Sequence, residues 1–203
     1  MKFYPGEIYH VYNRGNIHQK IFFERRNYPF FLRKMEKHLT PYCNFLAWCL
    51  IPNHFHWLIQ IKKREKLDSY TLSEDGSLDD LNKNIGILLR SYTRAINVAY
   101  KNKGSLFQQG TNSKNVNTGL TVHENYALIS FLYIHQNPVK AKLSMSFEGW
   151  DFSSYRDFMG LNCNSKICNK KLAINLLDLP RSSSVFEEFS KQTLPEGYQD
   201  YIF

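Results

Sequence analysis

At 203 residues, 43% of them hydrophobic and 15% aromatic, the chain is long enough to bury a core without disulfide or metal staples. Lys and Arg number 26 against 18 Asp and Glu, a net charge of +8 that favours a polyanionic partner without naming it. No apolar run reaches the roughly 18 residues of a membrane span, and Met1 to Glu7 lacks the basic-then-apolar pattern of a secretory leader, so we expect a soluble cytoplasmic protein.

In chain order, Glu7 to Arg14 reads as a strand followed by a Gly15-Asn16 turn. Asn27 can cap a helix with Tyr28, Phe31, Leu32, Met35 and Leu39 at helical spacing, ended by Thr40-Pro41. The apolar run Phe45 to Ile51, the Pro52-Asn53 turn and the aromatic run Phe55 to Ile61 predict an antiparallel hairpin. Lys62 to Ser77 reads as an exposed loop. Asp79 or Asp80 opens a long helix with its apolar stripe at Leu81, Ile85, Leu88, Tyr92, Ile96 and Ala99, and Gly104 is its expected stop. Ser105 to Gln108 is a candidate short strand and Gln109 to Thr121 a polar loop. A further helix is expected from about His123 to Gln136, ended by Pro138.

Residues 161–203 turn richer in Ser, Asn and Lys, and we read them as a C-terminal extension of weak or late-forming structure behind a domain at 1–160. Cys43, Cys49, Cys163 and Cys168 form no C-x-x-C pair, which argues against a disulfide framework or zinc knuckle. Strand, helix, two strands, helix, short strand, helix is an α+β order that suits a ferredoxin-like antiparallel sheet with helices packed on it.

The chemistry gathers at His54-Phe-His56. Side chains alternate along a strand, so the two imidazoles share one face, about 7 Å apart at their bases, while Phe55, Trp57, Ile59 and Ile61 point into a core. Such a pair can share a metal ion; it is equally an ordinary polar strand face. On the helix before Pro138, Tyr133 and Asn137 lie four residues apart and so on one face. A phenol with a pKa of about 10 becomes a competent nucleophile towards phosphorus when a metal polarises the phosphate and the oxygen is held in line. An amide oxygen suits a hard divalent ion. The rival readings are a core aromatic for Tyr133 and a helix stop for Asn137. Tyr126 is the competing nucleophile, and Gln136 or His123 the competing ligands.

Four stretches in series, His10-Val-Tyr-Asn-Arg-Gly15, Pro52-Asn-His-Phe-His56, Tyr133-Ile-His-Gln-Asn-Pro138 with Val139-Lys-Ala141, and Trp150-Asp-Phe-Ser-Ser-Tyr155, resemble the REP-associated tyrosine transposases. These are single-tyrosine HUH enzymes, and the likeness covers roughly residues 7–158. It implies a ferredoxin-like catalytic domain that cuts and rejoins single-stranded or hairpin DNA with Mg²⁺ or Mn²⁺. By position, His54, His56 and Asn137 match the metal ligands and Tyr133 the nucleophile that becomes a 5′-phosphotyrosine. Arg14, Arg90 and Arg94 are candidate DNA contacts, for which a solvated surface is the alternative. One stretch departs: where relatives carry an Arg, an aromatic and a basic pair, this chain has Gln109-Gly-Thr-Asn-Ser-Lys114. A non-cleaving hairpin-binding regulator and a hydrolase with water as nucleophile are the competing functions. Monomer and homodimer are both compatible with the sequence.

Overall fold

The computed structural model describes residues 1–63, 65, 72–117, 125–161 and 167–198. Four strands build one sheet: β1 (Ile8–Arg14), β2 (Cys43–Ile51), β3 (His54–Ile61) and β4 (Asn112–Asn115). Their order is β2-β3-β1-β4 and every neighbouring pair is antiparallel. With α1 (Asn27–Leu39) between β1 and β2, and α2 (Asp79–Tyr100) between β3 and β4, the arrangement is the expected α+β, ferredoxin-like one. The third long helix, α3 (Tyr126–Lys140), follows β4. No helix among the described residues is long and apolar enough to cross a membrane.

Strand alternation divides the molecule into two cores. Tyr9, Val11, Phe55, Trp57 and Ile59 face α1 and α2, where they join Phe31, Met35, Leu81, Ile85 and Tyr92. Phe31 is the hub, its ring centroid 4.8 Å from Tyr92, 5.6 Å from Phe55 and 6.1 Å from Trp57. Burying rings of this size contributes about 1.5–3 kcal/mol each. The hydroxyl of the fully buried Tyr92 donates to the Ile21 carbonyl at 2.8 Å. On the opposite face Leu46, Ala47, Cys49 and Leu58 meet α3 through Phe131, Tyr133 and Ile134.

The open edge of β2 is covered by backbone. Leu50 N–H donates to Phe152 O and Ser154 N–H to Trp48 O, both at 2.9 Å, and Asn169 N–H donates to Phe45 O at 2.8 Å. Trp150 adds an indole N–H to Leu50 O, and Phe152 stacks on Tyr28 at 3.9 Å. The Trp150–Tyr155 stretch therefore shields an edge that would otherwise invite pairing with another chain.

Several sequence expectations need correction. The short strand is not Ser105–Gln108, where Phe107 makes only an isolated bridge to Gly15, but β4, inside the stretch read as a polar loop. Asn112-Ser-Lys-Asn115 has no strand propensity; pairing with β1 makes it a strand. The long helix ends at Tyr100, not at Gly104, because Lys101 takes the left-handed C-cap conformation with φ 55°. Asn27 lies inside α1 and its side chain reaches backwards, accepting from Phe23 and Glu24 N–H at 2.9 Å. Pro138 does not end its helix. The helix runs on to Lys140, with Ala141 N–H bonded to Asn137 O at 2.8 Å. Its start is Tyr126, capped by Asn125, whose side chain accepts Leu128 N–H at 3.0 Å; His123 lies outside the described residues, as does Cys163.

Residues 167–198 are also better ordered than their composition suggests. They form α4 (Lys170–Leu177) and α5 (Ser183–Ser190), and Ala173, Leu177, Leu179, Phe186 and Tyr198 are buried in the α3 core. This cover explains why α3 is buried from Ser130 through Pro138 on all sides rather than along one stripe.

Candidate active site

Register decides what meets on the α3 face. In the β1–β3 pairing Tyr12 stands opposite His56 and Arg14 opposite His54. The Pro52-Asn53 turn is held in place from outside: Gly15 N–H donates to Asn53 O at 2.8 Å, and Ile21 and Phe22 N–H donate to Pro52 O. A Cβ on Gly15 would collide with the Gln19 carbonyl, which is why the chain can pass this close only at a glycine.

His54 and His56 sit with ring centroids 5.0 Å apart, and Tyr133 lies 5.3 Å from His56, edge to face. Asn137, 5% exposed, sits beside both the His54 imidazole and the Tyr133 phenol, its amide opposing the shift that burial imposes on each, while its Nδ2 is buried without a hydrogen-bond partner among the described residues. The four residues expected from sequence to form one site are together. Of the arginines, Arg14 stands beside the cluster, opposite His54, and Arg90 and Arg94 lie outside it. Arg90 and Arg94 line a cleft of about 670 Å³ with Asn13, Phe107, Gln108 and Thr111. Arg14 reaches its rim, its Nε donating to Gln108 Oε1 at 3.2 Å.

Burial sets the protonation states. It depresses His54 to about 4, against the nearby Asn137 amide, with the Arg14 charge adding to the depression. It holds His56 well below the ordinary 6.5, and the neighbouring His54 and His10 push the same way. Both rings are therefore neutral at pH 7 and keep a nitrogen lone pair, the form a metal requires. Burial pushes the Tyr133 phenol well above its ordinary value, opposed by Asn137. An undisturbed Tyr133 is thus protonated, and its phenolate form needs positive charge nearby.

Two residues supply features that sequence reading passed over. Lys140 Nζ lies 5.7 Å from the Tyr133 ring centroid, two helical turns on, and burial lowers its own pKa. The i, i+7 spacing on α3 was the available signal. His10, 1% exposed, places Nε2 3.0 Å from His56 Nδ1 and stacks on that ring at 5.1 Å. Its parity with Tyr12 and Arg14 was legible, but its diagonal contact with His56 depends on a register that sequence does not give. Gln136 is turned away, donating to Ser190 O at 3.0 Å and Gln192 O at 2.8 Å. Tyr126 is seven residues, or about 10 Å, up the helix axis from Tyr133.

A divalent ion fits this donor set: two neutral imidazoles share one strand face, with the Asn137 amide beside His54. Among the described residues there is no group of three or more His, Cys, Asp or Glu able to hold a metal.

No family model and no curated protein matches the chain. It is similar in structure to a REP-associated tyrosine transposase bound to a REP hairpin. The TM-score is 0.55 over 80% of this chain and 86% of that one, at 14% identity. At this identity the likeness is one of fold.

Proposed function

We propose that the protein cuts and rejoins single-stranded DNA beside hairpins through a covalent link to Tyr133. The observation that carries this reading is the edge-to-face placement of Tyr133 5.3 Å from His56, itself 5.0 Å from His54, which sets a nucleophile on α3 beside a ligand pair on β3, with the Asn137 amide next to both. The fold likeness to a transposase bound to a REP hairpin supports DNA as the substrate.

Tyr133 Oη attacks phosphorus, the bond from phosphorus to the 3′ oxygen breaks, and that oxygen leaves and takes up a proton while the phenolic proton passes to solvent. The 5′-phosphotyrosyl link keeps the energy of the broken ester. A free 3′-OH attacks it in reverse, joins the strand and releases Tyr133. Mg²⁺ or Mn²⁺ held by His54, His56 and Asn137 would polarise the scissile phosphate. Lys140 favours the phenolate form of Tyr133, and Asn137 fixes where its oxygen sits. Arg14, Arg90 and Arg94 hold phosphates on either side of the β1 end, and the cleft with Phe107 suits an unpaired base. A binder that never cuts would have no use for a buried His, His, Tyr, Asn set, which weighs against the regulator reading.

The test is a denaturing gel with labelled hairpin-flanked single-stranded DNA and Mn²⁺. Wild type should form a covalent adduct, and Tyr133→Phe should form none while its DNA affinity stays within a few-fold. An undiminished adduct would move the nucleophile to Tyr126 or elsewhere.

A further inference from the structure

The contact between His10 and His56 lies behind the ligand pair and bears on which nitrogen of His56 can bind anything. Both rings are about 1% exposed and nearly parallel, at 24°, and His10 Nε2 is 3.0 Å from His56 Nδ1. Two neutral imidazoles in this arrangement share one proton, and there are two ways to place it. If His10 Nε2 carries the proton, His56 Nδ1 accepts it, and the proton of His56 must then sit on Nε2, where it blocks coordination. If His56 Nδ1 carries the proton, His10 Nε2 accepts it and the His56 Nε2 lone pair is left for a ligand.

We propose that His10 is a positioning residue that fixes His56 in the tautomer with its proton on Nδ1, leaving Nε2 as the ligating atom. Ligand histidines ordinarily donate their second N–H to a carboxylate, carbonyl or water; here the acceptor is a second imidazole. The chain has a reason to use one. His10 is on β1 and cannot slide, since β1 is paired on both sides, with Leu58 opposite His10 on β3 and Lys114 opposite it on β4. An imidazole on a central strand is therefore a stiffer acceptor than a water or a long carboxylate, and its stacking sets the plane of the His56 ring as well. Tyr12, whose ring is 5.2 Å from His10 and 5.7 Å from His56, closes the near side of the pair.

The tautomer itself does not depend on metal binding; only its use does, and that part rests on the function proposed above. The primary measurement is the long-range ¹H–¹⁵N correlation spectrum of the metal-free wild-type protein, with His56 assigned by difference from His56→Gln. We expect His56 Nε2 at the shift of an unprotonated nitrogen. A protonated Nε2 overturns the proposal. The second measurement is Mn²⁺ uptake, followed by the electron paramagnetic resonance of free Mn²⁺. His10→Phe keeps the ring stack and loses the acceptor, and should weaken uptake by about 10- to 100-fold. His10→Gln, which keeps an acceptor oxygen, should recover most of it. Equal uptake by His10→Phe and wild type also overturns the proposal. If His10→Phe fails to fold, the wild-type spectrum and His10→Gln still decide it. A wild type that shows the Nδ1-protonated tautomer but takes up no Mn²⁺ supports the role of His10 and counts against the metal reading instead.

Discussion

The two faces of the sheet are made by the same strands and have opposite characters. Towards α1 and α2, alternate residues of β1 and β3 give Tyr9, Val11, Phe55, Trp57 and Ile59, a continuous aromatic and aliphatic core. One residue out of step, the same strands give His10, Tyr12, His54 and His56 towards α3. A period of two lets one stretch of sequence do both jobs, and it places the polar cluster against a rigid backing. The dry face holds the strands still; the other face then pays for buried imidazoles with stability that the dry face supplies.

The largest contrast should come from one substitution on each face. Trp57→Ala removes a fully buried ring and should cost about 3–5 kcal/mol, read as a collapse of the melting temperature. His54→Ala, partly exposed at the end of its strand, should leave the melting temperature near that of wild type and eliminate metal-dependent cleavage. If His54→Ala unfolds the protein as Trp57→Ala does, the division of labour between the faces is wrong.

Acid should separate the faces next. Burial depresses His10 to about 3 and His135 to about 3, with His56 also well below 6.5. The unfolded chain therefore binds protons first as pH falls. Stability is fully present above about pH 6.5 and is lost below it, at about 1.4 kcal/mol per pH unit for each group. Urea midpoints of the metal-free protein between pH 7 and 5 should fall steeply, in a window above the titration of ordinary carboxylates. In His135→Gln the slope should shrink by one group's share; a flat profile in wild type would mean that these rings are not held neutral.

Asn137 offers a smaller and sharper test. Asn137→Ala should raise the Mn²⁺ midpoint for cleavage about tenfold or more, with Asn137→Asp retaining an oxygen ligand and much of the activity. The comparison is a titration of cleavage rate against Mn²⁺ beside the melting temperatures of the three proteins. A midpoint unmoved in Asn137→Ala leaves that residue a purely structural link. The smallest effect belongs to the cleft. Arg90→Ala and Arg94→Ala should each lower the salt dependence of single-strand binding by about 0.7 in log-log slope without touching stability. Slopes equal to wild type would take both arginines out of contact with phosphate.

Much of this was readable beforehand because it rested on periodicity. The hairpin, the dry face of β3, the bodies of α1 and α2, and the pairing of Tyr133 with Asn137 all follow from spacings of two or four. What escaped was set by partners rather than by local residues. β4 is a strand only because β1 lies beside it, and Asn112 to Asn115 carry no signal of their own. The same holds for His10, whose place behind His56 needs the β1–β3 register. Two of the four motif stretches also carry scaffolding. Asn13 ties the end of β1 to Gln108 O and Thr111 Oγ1, at 3.3 and 3.1 Å, and Ser154 Oγ joins His135 at 2.8 Å to the backbone of Trp48. The C-terminal stretch looked weak because its apolar residues are few and scattered; against α3 they need no period, only a surface to complete.

The cover over α3 also fixes an order of events in the making of the molecule. Phe186 and Tyr198, which close on Phe131 and Ser130, are synthesised long after Tyr133. At about 5–20 residues per second, ribosomes leave the flank of that helix bare for several seconds. Sheet, α1 and α2 can already have collapsed around Phe31 by then, while Tyr133 still rides on a helix with one side missing. The α3 face is thus the last part of the sheet's surroundings to take shape, and a nascent chain stalled before residue 186 would hold its histidines in place with no settled Tyr133 beside them.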